Sequence, residues 1–489
     1  MIGAGIQTTA ALVSYLVIIL GIGFWASTKI KGHRDYYIGG KKLPGWALAL
    51  SERSTDMSAW LVIGVPALAY RMGVSALWIP VGCYLGSIIQ WIFYSKKLRE
   101  ERDEYDAITA VDYLAKKHPD GAVGIGILGA ITCFLFYIFY VSAQFAAGGT
   151  ILNQTFGVSM LAGMAITAVV IIVYCMAGGF LSVVWTDVIQ ALLMVVTLVV
   201  IPIVGLFVIS TQGLSITSAL ANVNPEMVSW TGGAKGAAAG LSIGTSLSWI
   251  FGYLGGEPHF FIRQMAVRSE KERKQAIWVA IVWGAFTTIG AWLIGVVALT
   301  LYGSDVFGAH TTLGQSAAEG ILPYTLLQLT PPFVAGILLA GAIAGMMSTA
   351  DSQLVVASSA VSEDLYYNVL RRSEKIPEKM LVLISRIITL VIGIAAFVFV
   401  YLNPGAVYEL VSYGWAGLAS AFVPSVTLSL WWKKFSKAGV YAAFIVGILV
   451  TIVWIASGLN DILTVRIASF AIPFPAAVIA SLLFPRKER

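Results

Sequence analysis

SERSTDMSAW occupies residues 51–60, between GWALAL (45–50) and LVIGVPALAY (61–70). The flanks read as one apolar helix. The middle, however, carries Glu52, Arg53 and Asp56 with the hydroxyls of Ser51, Ser54, Thr55 and Ser58. An unpaired charge at bilayer depth costs several kcal/mol, so such groups face a partner or a cavity. Glu52 and Arg53 have a plain use, which is to neutralise one another or pair with neighbouring helices. Asp56 sits in a run of Ser and Thr that competes with the helical ladder for backbone hydrogen bonds. STDMS is therefore expected to unwind and release carbonyl oxygens, which are hard ligands for Na⁺ or another small cation.

That segment lies in a very apolar chain. Hydrophobic residues make up 58% of the 489, charged residues 11%, and the mean hydropathy is +0.84. A soluble domain of this size with that balance would lack polar cover. Runs of ~20 apolar residues, enough to cross a bilayer core, recur along the chain. Spans are predicted near 8–27, 45–71, 73–95, 123–152, 158–177, 183–209, 236–262, 275–302, 323–360, 379–402, 408–432, 438–457 and 463–484, about thirteen helices. The short alternating strands of a porin-like barrel are absent. The fold class is an all-α polytopic membrane protein.

Basic residues alternate between connections. Lys29, Lys31, Arg34, Lys41 and Lys42 fall on one side with Lys96–Lys117, Arg263–Lys274, Arg371–Lys379, Lys433–Lys437 and the tail PRKER. The opposite side holds Arg71, Lys235 and Arg466. Because basic residues stay cytoplasmic, the N-terminus is expected outside and the C-terminus inside a plasma membrane. The net charge of +6 then reflects topology and calls for no nucleic-acid partner. The first segment lacks a basic leader and reads as a retained helix. Cys83, Cys133 and Cys175 fall in spans without metal-ligand spacing and read as packing residues. The polar stretch SKKLREERDEYDAITAVDYLAKKHPDG (95–121) reads as a cytoplasmic loop with a short amphipathic helix. Neither an attached output domain nor a Walker-type loop is evident, so the chain reads as one transmembrane domain (1–489) that is not an enzyme. Its partners are expected to be the lipid bilayer and a small solute, with no obligate protein partner.

A second polar segment is ILLAGAIAGMMSTADSQLVVASSA (337–360). Gly345, Ser348, Thr349 and Ser352 fall at i, i+3, i+4 and i+7, on one helix face, with Asp351 beside them. Close helix packing explains the glycines and one serine. It leaves Asp351 and the adjacent hydroxyls needing a partner, and a cation meets that need. A third interruption is SWIFGYLGGEPHFFIRQ (248–264). Here Gly252, Gly255, Gly256 and Pro258 would break a span and Glu257 adds a charge at the break. Trp249 and Tyr253, four apart, are expected to share a face as an aromatic wall. Tyr137, Tyr140 and Gln144 form a stripe at i, i+3 and i+7. The broken spans are the second and the seventh, five helices apart and oppositely oriented, the pattern of an inverted-repeat secondary transporter.

DYYIGGKKL (35–43), TDMSAW (55–60), AGGFLSVVWTD (177–187), GYLGGEPH (252–259), MSTADSQL (347–354) and SYGWAG (412–417) together resemble the sodium/solute symporter family, most of all its sodium/proline symporters. That resemblance implies a leucine-transporter-like fold of five plus five helices. The core would span 45–432, with one extra helix before it (8–27) and two after it (438–484). It implies a sodium site of the Ser54, Met57 and Gly345 carbonyls with the Ser348 and Thr349 hydroxyls. It also implies a second sodium at Asp187, Ser348, Asp351 and Ser352, a coupling role for Asp56, and solute contacts at Ser58, Ala59, Tyr140, Trp249, Tyr253 and Pro258. The chain departs from the family pattern in four places. Ala59 replaces glycine, Lys41 replaces arginine, GYLGGEPH is one residue longer, and Glu52–Arg53 is more charged. Arg53 and Glu257, charges at helix breaks, are expected to contribute to cargo selection.

The expected activity is Na⁺-coupled symport of a small solute, L-proline or a similar amino acid. The competing readings are a sugar, vitamin carboxylate or organic acid on the same fold, and proton coupling through Glu52, Asp56 or Asp351. A further alternative is a sensor that binds solute without moving it.

Overall fold

The computed structural model describes residues 5–28, 43–177, 179–307, 315–371 and 376–486. The basic cluster Lys29–Lys42 and all of DYYIGGKKL except Leu43 lie outside the described residues. Among the described residues every regular element is helical.

The first expected span is α1 (Ile6–Ser27). The second is α2 (Gly45–Ala59), which passes through a π-turn at Trp60–Gly64 into α3 (Val65–Met72). The chain reverses at Gly73, whose φ is 66° and where a Cβ would overlap the Met227 carbonyl, so only glycine fits. α4 (Trp78–Ile89) follows and runs through a second π-turn, Gln90–Tyr94, into α5 (Ser95–Tyr105). The loop expected over 95–121 is thus largely helical, since α6 (Ala110–Lys117) fills most of the remainder. Thr109 starts α6 by accepting the Asp112 N–H at 2.8 Å.

α7 (Ala122–Phe156), α8 (Met160–Ala177), α9 (Phe180–Thr211) and α10 (Ile216–Val223) come next. The interruption expected within 236–262 divides that span into α11 (Ala237–Leu247), a 3-10 turn (Ser248–Tyr253) and α12 (Pro258–Met265), bent by 49°. After α13 (Glu270–Tyr302) two short helices, α14 (Gln315–Ala318) and α15 (Ile321–Leu329), precede α16 (Pro332–Ser359). The span expected from residue 323 therefore begins at Pro332, because Pro331–Pro332 cannot continue α15. α17 (Glu378–Leu402), α18 (Val407–Trp431) and α19 (Lys437–Ala456) match expectation. The last span is divided into α20 (Val465–Ala471) and α21 (Pro473–Leu483), at a proline that removes a helical donor.

Nine of the described helices are long and apolar enough to cross a membrane, or ten if the bent pair is one span. The helical path Gly45–Glu101 is 57 residues long and turns at Gly73. Apolar side chains such as Ile203, Phe207, Phe286 and Ile387 stay exposed, as lipid-facing groups do. α2 lies in the interior against α9, α13 and α16, and Glu52, Arg53 and Asp56 are all fully buried there.

Candidate ion and solute site

α2 breaks at Ser58, where φ is 36° and ψ is −170°. The expected unwinding of STDMS is thus confined to its last residue, and Ser54–Met57 stay helical. Three bonds hold the break. The Ala59 N–H donates to Gln144 Oε1 at 2.9 Å, the Trp60 N–H to Ser58 Oγ at 3.2 Å, and Trp60 Nε1 to the Asp56 carbonyl at 3.0 Å. Such side-chain partners replace the ladder bonds that a left-handed residue removes.

Met57 is the last helical residue before the break, so the Ser54 to Met57 carbonyls form the final turn of this part of α2. α16 supplies partners for the first two. Ser348 Oγ donates to the Ser54 carbonyl at 3.0 Å and Thr349 Oγ1 to the Thr55 carbonyl at 2.7 Å. Both hydroxyls also contact the Gly345 carbonyl, at 3.2 and 2.9 Å. Gly345 itself lies under Ser58, whose carbonyl oxygen would sit 3.6 Å from a Cβ added there. The Met57 carbonyl accepts the Trp60 N–H, and Asp56 is served by the Trp60 indole. Five neutral oxygens thus converge from two helices without a carboxylate, a donor set suited to a hard monovalent cation. Thr55 is the member of this set absent from the sequence-based ligand list.

Asp56 points away from those oxygens. Its Oδ1 accepts the Tyr253 hydroxyl at 2.5 Å and its Oδ2 meets Arg53 Nη1 at 2.9 Å. Arg53 also grips Glu52 through Nε and Nη2, at 2.8 and 2.7 Å, and Trp91 Nε1 donates to Glu52 at 2.9 Å. Arg53 therefore lies between two carboxylates. This is the mutual neutralisation open to Glu52 and Arg53, and it leaves Arg53 little freedom to select cargo.

The aromatic wall forms, with a different geometry from the one expected. Residues 248–253 are 3-10 helical, so Trp249 and Tyr253 do not stack on one α-helical face. Instead both pack on Trp415 of α18, with ring centroids at 5.7 and 4.9 Å, while Trp60 stacks on Trp249 at 5.2 Å. A Cβ at Gly252 would overlap the Trp415 indole, which is why glycine occupies that turn. Pro258 opens α12, and Ala59 and Ser58 form the break opposite. From α7, Tyr137 bonds to His259 Nδ1 at 3.0 Å, and the Tyr140 hydroxyl lies beside Ser58.

Asp187 of α9 belongs to a separate cluster. Its Oδ2 accepts Ser51 Oγ at 2.6 Å and pairs with Arg263 Nη2 at 3.0 Å. Arg263 also reaches Ser51, Thr55, Ser352 and the His259 carbonyl, at 2.8, 2.9, 2.5 and 2.7 Å. Asp351 is buried near Asp187 without a base of its own. Ser348 approaches this cluster only through its carbonyl, 3.3 Å from Thr55 Oγ1. The sequence reading missed Arg263, whose guanidinium stands among Asp187 and Ser352. The available signal was its place at the buried end of the third interruption.

The family model "Sodium:solute symporter family" matches residues 36–447. The chain is 33% identical to the high-affinity proline transporter PutP of Bacillus subtilis (strain 168), covering 95% of this chain and 96% of that protein. It is also 33% identical to the sodium/proline symporter of Escherichia coli (strain K12), over 91% and 88% of the two chains. A Na⁺-coupled sialic acid symporter solved in a substrate-bound outward-open state superposes with a TM-score of 0.79. Its identity is 22%, with 99% of this chain and 100% of that one covered, and it shows the leucine-transporter-like fold. Full-length coverage, the broken helices and the matching family model lead to one conclusion: this chain belongs to the sodium:solute symporter family, as a multi-pass membrane transporter rather than an enzyme, with Na⁺ as its coupling ion.

Proposed function

We propose that this chain imports a small amino acid, with L-proline as the first candidate, using the inward sodium gradient. One observation carries the reading. The Ser348 and Thr349 hydroxyls meet the Ser54 and Thr55 carbonyls, in the last turn of α2 before the Ser58 break, on the helix whose Asp56 bonds to Tyr253 of the Trp249–Tyr253–Trp415 wall. The names of the relatives above support proline as the cargo.

In this reading Na⁺ takes the carbonyls of Ser54, Met57 and Gly345 and the hydroxyls of Ser348 and Thr349, with Thr55 close by. Bound sodium ties α2 to α16 and favours the outward-open state. Asp56 carries the coupling, because it belongs to the ion-binding helix and accepts the hydroxyl of Tyr253 in the solute wall. Solute would rest against Ser58, Ala59, Tyr140, Trp249, Tyr253 and Pro258. Coupling is then a difference in affinity between states, so solute must tighten sodium binding by the factor that sodium tightens solute binding. Residues 45–432 form the ten-helix repeat core in this reading. The protein sits in the plasma membrane with its N-terminus outside and its C-terminus in the cytoplasm, following the basic residues.

The test is uptake of labelled L-proline into proteoliposomes under a sodium gradient without a pH gradient. Unlabelled amino acids, sugars and carboxylates serve as competitors. Sodium-dependent uptake displaced by proline supports the proposal. Uptake driven only by a pH gradient, or displaced only by a sugar or a carboxylate, rejects it.

A further inference from the structure

Glu257 is fully buried at the start of α12, with φ −112° and ψ 104°, directly after two glycines. A carboxylate at a helix start ordinarily accepts the N–H of the second or third residue, but here the side chain makes no such bond. Neither Oε1 nor Oε2 has a hydrogen-bond partner among the described residues. The nearest base is His259, whose Nδ1 is 3.5 Å from Oε2 and already bonded to Tyr137 at 3.0 Å. Folding alone does not account for Glu257, since a buried carboxylate without hydrogen bonds opposes the native state.

The charges around the breaks point the same way. Glu52, Asp56, Asp187, Glu257 and Asp351 are all fully buried; Arg53 and Arg263 stand among them, and a third buried guanidinium, Arg466, lies 4.6 Å over the Trp249 ring and donates to Ser248 at 3.0 Å. Arg53 is held by Glu52 and Asp56, and Arg263 by Asp187. A sodium ion on the α2–α16 side lies on the helix that carries Asp351, and among the described residues no lysine or arginine pairs with Glu257. The groups near Glu257 include the rings of Tyr137, Tyr140 and His259, with the Phe260 ring centroid 4.1 Å from that of His259 and tilted by 60°. Aromatic faces beside a carboxylate favour an organic ammonium over a hydrated anion or a neutral polyol.

We infer that Glu257 receives the ammonium group of the transported solute, so that the cargo class is amines and amino acids rather than sugars or simple carboxylates. The inference rests on the solute site proposed above and supplies its specificity-determining residue. The ammonium of the cargo then supplies the partner that Glu257 lacks, and an unloaded site is less stable closed than a loaded one. The deleted partner of a buried charge pair typically costs 2–5 kcal/mol, which corresponds to about 30-fold or more in affinity.

The test uses the purified full-length transporter in sodium chloride, with ligand binding followed by thermal shift and by displacement of labelled L-proline. The probes are L-proline, pyrrolidine (the amine without the carboxylate), tetrahydrofuran-2-carboxylate (the ring with oxygen in place of the amine) and galactose. Wild type should bind proline and pyrrolidine at least about 30-fold more tightly than the other two. Glu257→Gln should weaken both amines by about 30-fold or more, and Glu257→Asp by less. The unliganded Glu257→Gln protein should melt no lower than wild type, which separates loss of binding from misfolding. Amine affinities within threefold of wild type in Glu257→Gln would overturn the inference. So would tetrahydrofuran-2-carboxylate binding as well as proline, or a variant that loses only the pH dependence of uptake. Proline bound equally by wild type and variant removes this inference and keeps the proline reading. Other amines bound in a Glu257-dependent way without proline would do the reverse.

Discussion

Thr349 donates its hydroxyl to the Thr55 carbonyl at 2.7 Å, across 294 residues of chain. This bond joins the last turn of α2 before the Ser58 break to the hydroxyl-bearing face of α16. Loss of the Thr349 hydroxyl removes a hydrogen bond worth about 1 kcal/mol to folding and one proposed sodium ligand. Thr349→Ala should raise the sodium concentration for half-maximal uptake at least about tenfold, while Thr349→Ser stays within about threefold. A sodium titration of uptake in both variants, at matched membrane abundance, checks this.

Asp56 bridges Arg53 and Tyr253. Asp56→Asn keeps an acceptor for the Tyr253 hydroxyl but leaves Arg53 with Glu52 alone, so it should lower sodium-dependent uptake about tenfold or more without loss of the protein from the membrane. Tyr253→Phe removes only the other half of the bridge. If the two act through this bond, the double variant should fall short of the sum of the singles by about 1–2 kcal/mol. Transport energies from a double-mutant cycle provide the measurement.

Arg263 and Asp187 are a buried pair, and deletion of one partner leaves a charge unpaired at a cost of about 3–5 kcal/mol. Arg263→Gln and Asp187→Asn should each lower the melting temperature, and the double variant should recover much of the loss. In Arg263→Gln, Asp187 and Asp351 lose their shared guanidinium. Sodium chloride, but not choline chloride, should then restore part of the stability in a thermal-shift assay.

Glu319, in the segment between α14 and α15, accepts the Val407 N–H at 2.7 Å at the start of α18. Burial pushes its carboxyl up to about 8, against the opposing effect of the Val407 and Tyr408 N–H groups, with Glu409 adding repulsion. Tyr408 in turn accepts the indole N–H of Trp249 at 3.1 Å. With this segment lifted into water the carboxyl would return to the ordinary range near 4.3. The seated form binds the proton more tightly, so seating is favoured below about 4–5 and loses that support as pH rises through about 8. Between those limits alkalinisation of the aqueous side that this segment faces should shift the balance toward the lifted state by up to about tenfold per pH unit. Glu319→Gln should remove that dependence. Accessibility of a cysteine placed beside Glu319, followed against pH in detergent-solubilised protein, reads the effect.

Gly252 packs against the Trp415 indole with no room for a Cβ. Gly252→Ala should push the indole from Trp249 and Tyr253 and cost about 1–3 kcal/mol of stability. Weaker solute binding, with the sodium titration little changed, is the expected pattern in equilibrium binding.

The membrane class, the interrupted second and seventh spans, and the hydroxyl stripe on α16 were legible from residue pattern, because helical periodicity and the cost of polar groups in lipid act locally. The α2 break was expected in the right decapeptide and lies at its eighth residue, Ser58. Its exact place depends on Gln144 of α7, which reaches the Ala59 N–H. The partners of Glu52, Arg53 and Asp56 were likewise open until Trp91 and Tyr253 stood next to them.

From the sequence by itself follow a bundle of helices, the places where its ladders fail, and which side chains need company in a bilayer. The pairing was settled only by the packed fold: Thr55 with Thr349, Asp187 with Arg263, Glu319 with Val407, and Glu257 without a hydrogen-bond partner among the described residues. Those contacts depend on the rotation and depth of each helix against its neighbours, and periodicity along one helix carries no information about either.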